Sequence, residues 1–167
     1  MVIANIPSTH GGLTKLRPEM IIVHSMAEFI QVGDRAVPAH ELLDNLGLSA
    51  HALATPGGVV IRTRTDEQLA FHAGVLNPKA LGLEFLVPGV WTYKTFIERI
   101  KTPYLTPAQL RAGIELVKGW SSKFNIPMGK VKRHSTVAPG RKFDPGVGFP
   151  WSDFIAEVFL RDSMGGD

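Results

Sequence analysis

The 167-residue sequence contains no cysteine. Disulfides, zinc–thiolate sites, iron–sulfur clusters and a cysteine nucleophile are therefore excluded. The N-terminal segment has no basic stretch followed by an apolar one, so it does not resemble a secretory signal peptide. No apolar run approaches the roughly 18–20 residues that a membrane span requires. These absences predict a chain that is synthesised in the cytoplasm without a signal peptide and does not insert stably into a membrane.

Long runs of one charge are also missing. Lys+Arg number 18 and Asp+Glu 15, which gives a net charge of +3 and a pI near 9.3. Since no segment carries five or more like charges in a row, we expect no nucleic-acid partner. The small basic excess leaves two interpretations open. The excess belongs to an ordinary solvated surface, or it attracts the protein to an anionic polymer such as a bacterial wall.

Local patterns predict a single α/β domain with a central mixed β-sheet flanked by helices. Short runs of β-branched and apolar residues predict strands at 20–23, 51–54, 59–63, 80–87 and 131–134. Helical spacing and capping residues predict helices at 38–46, 106–125 and 150–161. Strands interleaved with helices are typical of α/β domains. The turn at 55–58 predicts an antiparallel hairpin, which makes the sheet mixed.

The helix at 106–125 has the clearest start signal. Thr106 can cap the helix, Pro107 suits its first position, and Gln109 completes the pattern of a capping box. The end of the β-strand at 80–87 is equally marked, because Pro88 and Gly89 follow it and are expected to stop it. The length fits one domain over 1–167, with a core at about 20–160 and no separate wall-binding domain.

Three residues suggest a metal site. His24 follows a predicted buried strand, His134 follows a short apolar stretch, and Asp144 precedes Pro145, which restricts the backbone before it. Two imidazoles and one carboxylate form a recurring catalytic zinc set that leaves one coordination position open. No short motif ties these residues together. From spacing alone, structural or solvated histidines stay an alternative.

Glu84 lies inside an apolar run, where burial of a carboxylate is costly unless it has a partner or a task. Two interpretations follow. Glu84 lies on an edge strand and faces water, or it faces a cleft with a raised pKa and acts as a general base.

Four segments in a fixed order carry a family resemblance: residues 48–51, 70–74, 81–84 and 134–146. Together they resemble the type-2 N-acetylmuramoyl-L-alanine amidases, which include phage endolysins, cytosolic amidases of muropeptide recycling and peptidoglycan recognition proteins. The resemblance extends from about residue 21 to 159, and the segment 134–146 is its most specific part.

The resemblance implies a role for each matching residue. His24, His134 and Asp144 match the ligands of a Zn²⁺ ion. Glu84 matches the acid/base glutamate of the recycling subgroup. Lys142 matches a lysine that stabilises the tetrahedral intermediate.

Other positions refine this resemblance. Ala50 stands where some phage members have a tyrosine, so the acid/base role is assigned to Glu84. By resemblance, His51 and His72 line the cleft and bind substrate or orient the metal site, with hydrogen-bonded structural imidazoles as the alternative. His10 and His40 are expected at the surface. Departures from the family pattern, at residues 133, 136 and 57–58, bear on substrate preference and on support of the metal site.

The implied activity is zinc-dependent hydrolysis of the amide between N-acetylmuramic acid and L-alanine in peptidoglycan. The expected setting is a monomeric phage-type endolysin that reaches the host wall through a holin. A cytosolic muropeptide-recycling amidase is the alternative, and a non-catalytic peptidoglycan-binding module is a third. The expected partner is peptidoglycan or a muropeptide.

Overall fold

The computed structural model describes residues 1–160, except for the side chain of Leu13. Its strands are β1 (Val2–Asn5), β2 (Gly12–Lys15), β3 (Met20–Val32), β4 (Arg35–Pro38), β5 (Ala52–Ala54), β6 (Val59–Arg62), β7 (Gln68–Leu69), β8 (Ala80–Trp91) and β9 (Val131–Arg133). Its α-helices are α1 (Ala39–Asn45), α2 (Tyr93–Arg99), α3 (Pro107–Phe124), α4 (His134–Val137) and α5 (Trp151–Phe159). Short 3-10 helices cover Gly74–Lys79 and Met128–Lys130.

Seven of the described strands form one mixed sheet in the order β1-β6-β5-β8-β3-β4, with β9 beside the first half of β3. In the centre of the sheet, β8 pairs parallel with both β3 and β5, and β9 pairs parallel with β3. Strand β4 pairs antiparallel with the second half of β3. The predicted hairpin is present, because β5 and β6 pair antiparallel. The remaining strands, β2 and β7, form a separate two-stranded sheet.

The central strands β3 and β8 are longer than the sequence pattern predicted. The expected stop at Pro88 and Gly89 is wrong, because β8 continues to Trp91. The pairing shifts between Ala27 and Phe29, so that Pro88 and Gly89 lie opposite Glu28 as a bulge. Gly89 donates its N–H to the Glu28 carboxylate at 2.9 Å. A bulge therefore accommodates the proline that would otherwise end the strand.

Other element ends differ in small ways from the prediction. Pro38 belongs to β4 and precedes α1, and β4 itself had no clear sequence signal. His134 does not extend β9 but begins α4. The last helix begins at Trp151, and Arg161, which the prediction included, lies outside the described residues.

The two faces of the sheet are covered differently. Helices α3 and α5 cover one face, where most of the buried apolar side chains form the main core. Gly113 of α3 lies directly against the ring of Phe85, which in turn contacts the rings of Phe149 and Phe154. Helix α1 covers part of the other face, with Leu43 packed among side chains of β5 and β8. The rest of that face carries the polar side chains described below.

The start of α3 departs from the expected capping box. Thr106 does cap the helix by accepting a hydrogen bond from the N–H of Gln109. The Gln109 side chain turns the other way, is fully buried, and donates to the carbonyl oxygens of Ala54 and Leu86 at 2.8 Å each. Gln109 therefore ties the helix to β5 and β8 rather than closing the cap.

No α-helix within residues 1–160 is both long and apolar enough to cross a membrane.

Candidate metal centre and active site

Neighbouring elements bring His24, His134 and Asp144 together. His24 lies in β3, and His134 directly follows β9, which pairs parallel with β3. The Nδ1 atoms of the two histidines are 2.9 Å apart. The Asp144 Oδ2 atom is 3.0 Å from Nδ1 of His134 and 3.4 Å from Nδ1 of His24. Three potential ligand atoms therefore converge on one point, although 110 residues separate the two histidines in the sequence.

The three residues fit a metal ion. Zinc bound at about 2.0–2.1 Å in a tetrahedron requires ligand atoms about 3.3 Å apart, and the observed separations of 2.9, 3.0 and 3.4 Å lie around that value. Two imidazoles and a carboxylate leave a coordination position open. Near this point Glu84 Oε2 is buried and has no hydrogen-bond partner among the described residues. The arrangement is therefore suited to a cation with an open position.

The loop that carries Asp144 is fixed at several points. Ser135 donates its N–H to the Asp144 carbonyl oxygen at 2.9 Å. The hydroxyl of Tyr104 donates to the carbonyl oxygen of Pro145 at 2.9 Å. Gly146 has a φ of +82° and lies against Ile100, where a Cβ atom would approach the Cβ of Ile100 to 2.8 Å. Only glycine suits this backbone conformation and this spacing.

Glu84 faces the same point from the neighbouring strand. It pairs in register with His24, so both side chains extend from the same face of the sheet. Its Oε1 atom is 3.9 Å from Nδ1 of His24, and the residue is only 7% exposed. Burial, together with the negative charge of Asp144, raises the pKa of Glu84 well above its ordinary value, although Lys142 opposes this. The structure therefore places Glu84 in the cleft and not on an edge strand.

The ionisation states of two candidate ligands favour metal binding. Burial lowers the pKa of His24, and the nearby carboxylate of Asp144 only partly offsets this, so the imidazole is neutral near pH 7. For Asp144 burial acts to raise the pKa, but its hydrogen bond with His134 and the nearby ring of His24 outweigh it and bring the pKa below its ordinary value. A neutral imidazole and an ionised carboxylate are the forms that bind metals.

These groups line a cleft of about 210 Å³. Lys142 and Phe143 line the cleft beside Asp144, and Phe143 is 58% exposed. The cleft also has apolar walls, which are formed by Ile30, Leu42, Leu46, Leu48, Phe71, Tyr93, Phe96 and Ile97. Tyr93 lies at the rim and is 70% exposed, whereas Trp91 packs against the core. The cleft therefore combines charged groups with surfaces suited to apolar parts of a ligand.

A larger groove of about 680 Å³ lies elsewhere, around residues 62–68 and Lys123. Its principal charged groups already pair with one another. Asp66 contacts Arg62 and accepts hydrogen bonds from Trp120 and Lys123. None of the candidate site residues lines this groove, so the smaller cleft is the candidate active site.

The two further histidines have different positions. His51 is fully buried, its Nδ1 atom accepts the N–H of Gly82, and its Nε2 atom bonds the carbonyl oxygen of Gln68, each at 2.9 Å. His51 therefore lies in the core with both ring nitrogens hydrogen-bonded to the backbone, and it cannot touch substrate. The expectation that His51 lines the cleft is wrong, and the alternative of a hydrogen-bonded structural imidazole describes its position. His72 does line the cleft and contacts His24. His10 and His40, expected at the surface, are partly buried.

Sequence reasoning missed Tyr104 and Ser25. Both are buried, and their hydroxyl groups are hydrogen-bonded to each other. Ser25 follows His24 directly, so its nearness to the site could have been noticed. Tyr104 lies in a loop between α2 and α3 and has no local pattern that indicates its contacts.

The chain is similar in sequence to known amidases. The family model described as N-acetylmuramoyl-L-alanine amidase matches residues 14–147. N-acetylmuramoyl-L-alanine amidase AmiD of Escherichia coli (strain K12) is 34% identical over 100 residues, which cover 55% of this chain and 35% of AmiD. 1,6-anhydro-N-acetylmuramyl-L-alanine amidase AmpD of Enterobacter cloacae is 28% identical over 176 aligned residues, which cover 91% of this chain and 88% of AmpD. The chain thus spans about a third of AmiD and most of AmpD.

Solved structures share the fold. Endolysine N-acetylmuramoyl-L-alanine amidase LysCS from Clostridium intestinale URNW matches with a TM-score of 0.70 and 22% identity over 93% of this chain and 94% of that one. AmiD from E. coli in complex with the substrate anhydro-N-acetylmuramic acid-L-Ala-D-gamma-Glu-L-Lys matches with a TM-score of 0.63 and 23% identity, over 87% of this chain and 59% of that one. These matches confirm the predicted α/β domain with a central mixed sheet.

Proposed function

The chain belongs to the N-acetylmuramoyl-L-alanine amidase family, and we propose that it cleaves the muramoyl–alanine amide with the help of a Zn²⁺ ion held by His24, His134 and Asp144. One observation carries this proposal. The three ligand atoms converge within 4.8 Å of one another, and the buried Glu84 carboxylate lies beside them. A non-catalytic binding module would not need this combination of a ligand set and a general base.

A zinc ion bound here would polarise the amide carbonyl and make water a better nucleophile. Glu84 takes the proton from the attacking water as the oxygen adds to the carbonyl carbon. It then passes this proton to the amide nitrogen, so that the C–N bond breaks and L-alanine leaves as an amine. The raised pKa of Glu84 suits both transfers, because the carboxyl group must first accept a proton and later release it.

Lys142 lines the cleft next to the ligand-bearing loop. Its ammonium group would offset the negative charge that develops on the carbonyl oxygen when water adds. The apolar walls would hold the alanine side chain and the apolar faces of the sugar. We expect one copy of the chain to be sufficient, since every proposed group comes from the same domain.

Two biological settings are proposed for the enzyme. In the first, it is a phage-type endolysin that cuts the intact host wall after release through a holin, and its basic pI of 9.3 favours approach to an anionic wall. In the second, it is a cytoplasmic amidase of muropeptide recycling. The relatives named AmpD favour this second setting, because they are described as 1,6-anhydro-N-acetylmuramyl-L-alanine amidases. The similarity to them extends over most of both chains.

Two experiments test these proposals: an analysis of the metal content and a digestion of peptidoglycan. Purified protein should contain about one zinc ion per chain, and removal of the metal by a chelator should abolish amidase activity until zinc is restored. Full activity of a metal-free protein would contradict the zinc mechanism.

Intact sacculi and soluble anhydro-muropeptides should be digested separately and the products identified by mass spectrometry. Release of free stem peptides from sacculi supports the endolysin, whereas cleavage of the soluble fragments alone supports recycling.

A further inference from the structure

His72 connects the first proposed metal ligand to the backbone of the sheet. Its Nδ1 atom is 3.0 Å from Nε2 of His24, and its own Nε2 atom is 3.1 Å from the carbonyl oxygen of Ala80. The rings of His72 and His24 meet edge to face, with centroids 5.1 Å apart. The opposite nitrogen of His24 is Nδ1, the atom that faces His134 and Asp144.

The positions of the protons follow from this row of contacts. The carbonyl oxygen of Ala80 can only accept a hydrogen bond, so Nε2 of His72 carries a proton. The Nδ1 atom of a neutral His72 then holds a lone pair and accepts a hydrogen bond from the Nε2–H group of His24. A neutral His24 with its proton on Nε2 has a lone pair on Nδ1, which is the form that binds a metal.

We propose that His72 is a positioning residue that fixes His24 in the Nε2–H tautomer and so presents the His24 Nδ1 lone pair to the metal. The proposal rests on the proposed metal site. It assigns no substrate contact to His72, because both of its ring nitrogens are occupied within the protein. A hydrogen bond from the second nitrogen of a ligating histidine commonly fixes both the tautomer and the ring orientation.

The fold holds His72 in this orientation from two sides. The Asn77 side chain accepts hydrogen bonds from the backbone N–H groups of His72 and Ala73, which fixes the loop before β8. The ring of His72 lies against Gly82, where an added Cβ atom would come within 2.8 Å of the ring. Gly82 therefore leaves the space that the imidazole fills. The Nδ1 atom of His51 accepts a hydrogen bond from the N–H of Gly82 and so holds the backbone against which His72 packs.

Two conservative substitutions separate the proposed role from simple packing. In His72→Asn, the amide oxygen can occupy the place of Nδ1 and still accept the hydrogen bond from the Nε2–H group of His24. In His72→Gln, the amide reaches the place of Nε2 and the carbonyl of Ala80, which leaves Nε2 of His24 without its acceptor. His40→Asn, on α1 and outside the cleft, is the matched control. Zinc dissociation constants are measured by competition with a chromophoric chelator, and imidazole tautomers by ¹⁵N NMR of the zinc-free proteins.

We expect His72→Gln to weaken zinc binding by roughly 10–100-fold, the usual effect of losing such a partner, while His72→Asn and His40→Asn retain most of the affinity. His24 of the wild-type protein should show the Nε2–H tautomer, and His72→Gln should show a mixture. Equal losses in both His72 variants, no loss in either, or a His24 protonated at Nδ1 in the wild type would overturn the proposal. If the wild-type protein binds no zinc, the proposed function fails, and the tautomers alone decide the role of His72.

Discussion

The hydroxyl of Tyr104 links the segments that carry two of the proposed metal ligands, because it donates a hydrogen bond to the carbonyl oxygen of Pro145 at 2.9 Å. Since a carbonyl oxygen only accepts, the Ser25 hydroxyl must donate to Tyr104 in turn. Ser25 follows His24, and Pro145 follows Asp144. Tyr104 is thus a buried connection between β3 and the Asp144 loop, and burial raises its pKa so that the hydroxyl keeps its proton.

Replacing Tyr104 with Phe should weaken both the fold and the metal site. Removal of the hydroxyl leaves the Pro145 carbonyl and the Ser25 hydroxyl without a buried partner, which should lower the free energy of unfolding by about 1–3 kcal/mol. Urea denaturation in the presence of a chelator measures this effect without a contribution from the metal. Zinc affinity should also fall. Tyr93→Phe is the control, because Tyr93 is exposed; a similar loss of stability in both variants would contradict this role.

Local sequence patterns could predict the elements that position the site. The apolar run before His24 and the run around Glu84 indicate buried strands, which the structure contains as β3 and β8. The sequence could not give the register between them, because pairing of distant strands depends on the whole sheet. That register sets His24 opposite Glu84. A resemblance to a family supplied what local patterns lacked.

Other features depend on contacts between distant segments and have no local signal. Gln109 matches a capping box by sequence, yet its side chain bonds two carbonyls of the sheet, because burial beneath β5 and β8 offers stronger partners than the exposed end of the helix. The burial of His51 likewise depends on Gly82 and Gln68 from other segments. The bulge that admits Pro88 depends on its neighbour β3.

Two glycines of α3 should respond oppositely to substitution by alanine. A Cβ atom on Gly113 would overlap the ring of Phe85, whereas one on Gly119 would meet no atom within 4 Å. Gly119→Ala should raise the free energy of unfolding by about 0.5–1 kcal/mol, the helix-propensity gain. Gly113→Ala should lower it by about 1–2 kcal/mol, because the overpacking cost exceeds that gain. Urea denaturation tests both, and a stabilised Gly113→Ala would show that Phe85 has room to move.

His51 should make the fold sensitive to acid. Burial lowers its pKa from 6.5 to about 4, so the folded state binds the proton less readily than the unfolded chain does. Its contribution to stability is complete above pH 6.5 and is lost as the pH falls from 6.5 towards 4. The difference between the two pKa values corresponds to about 3 kcal/mol in the free energy of unfolding.

The variant His51→Asn tests this pH dependence. An Asn oxygen can still accept the N–H of Gly82 but does not titrate. The free energy of unfolding should be measured at pH 7 and pH 4.5 for both proteins. The wild-type protein should lose more stability between these values than His51→Asn does, even though the variant is less stable at pH 7. Equal losses would show that His51 is not the source of the acid sensitivity.

Two substitutions at the active site should separate metal binding from proton transfer. Asp144→Ala removes a proposed ligand and should lose zinc and activity together. Glu84→Gln keeps the size of the side chain but cannot take a proton from water, so it should retain zinc and lose about 10²–10⁴-fold in turnover. Zinc content by mass spectrometry and the release of peptide from muropeptide measure the two properties. Glu98→Gln, an exposed carboxylate on α2, is the control and should match the wild-type protein. A fully active Glu84→Gln would mean that another group accepts the proton, and loss of zinc in that variant would make Glu84 a ligand instead.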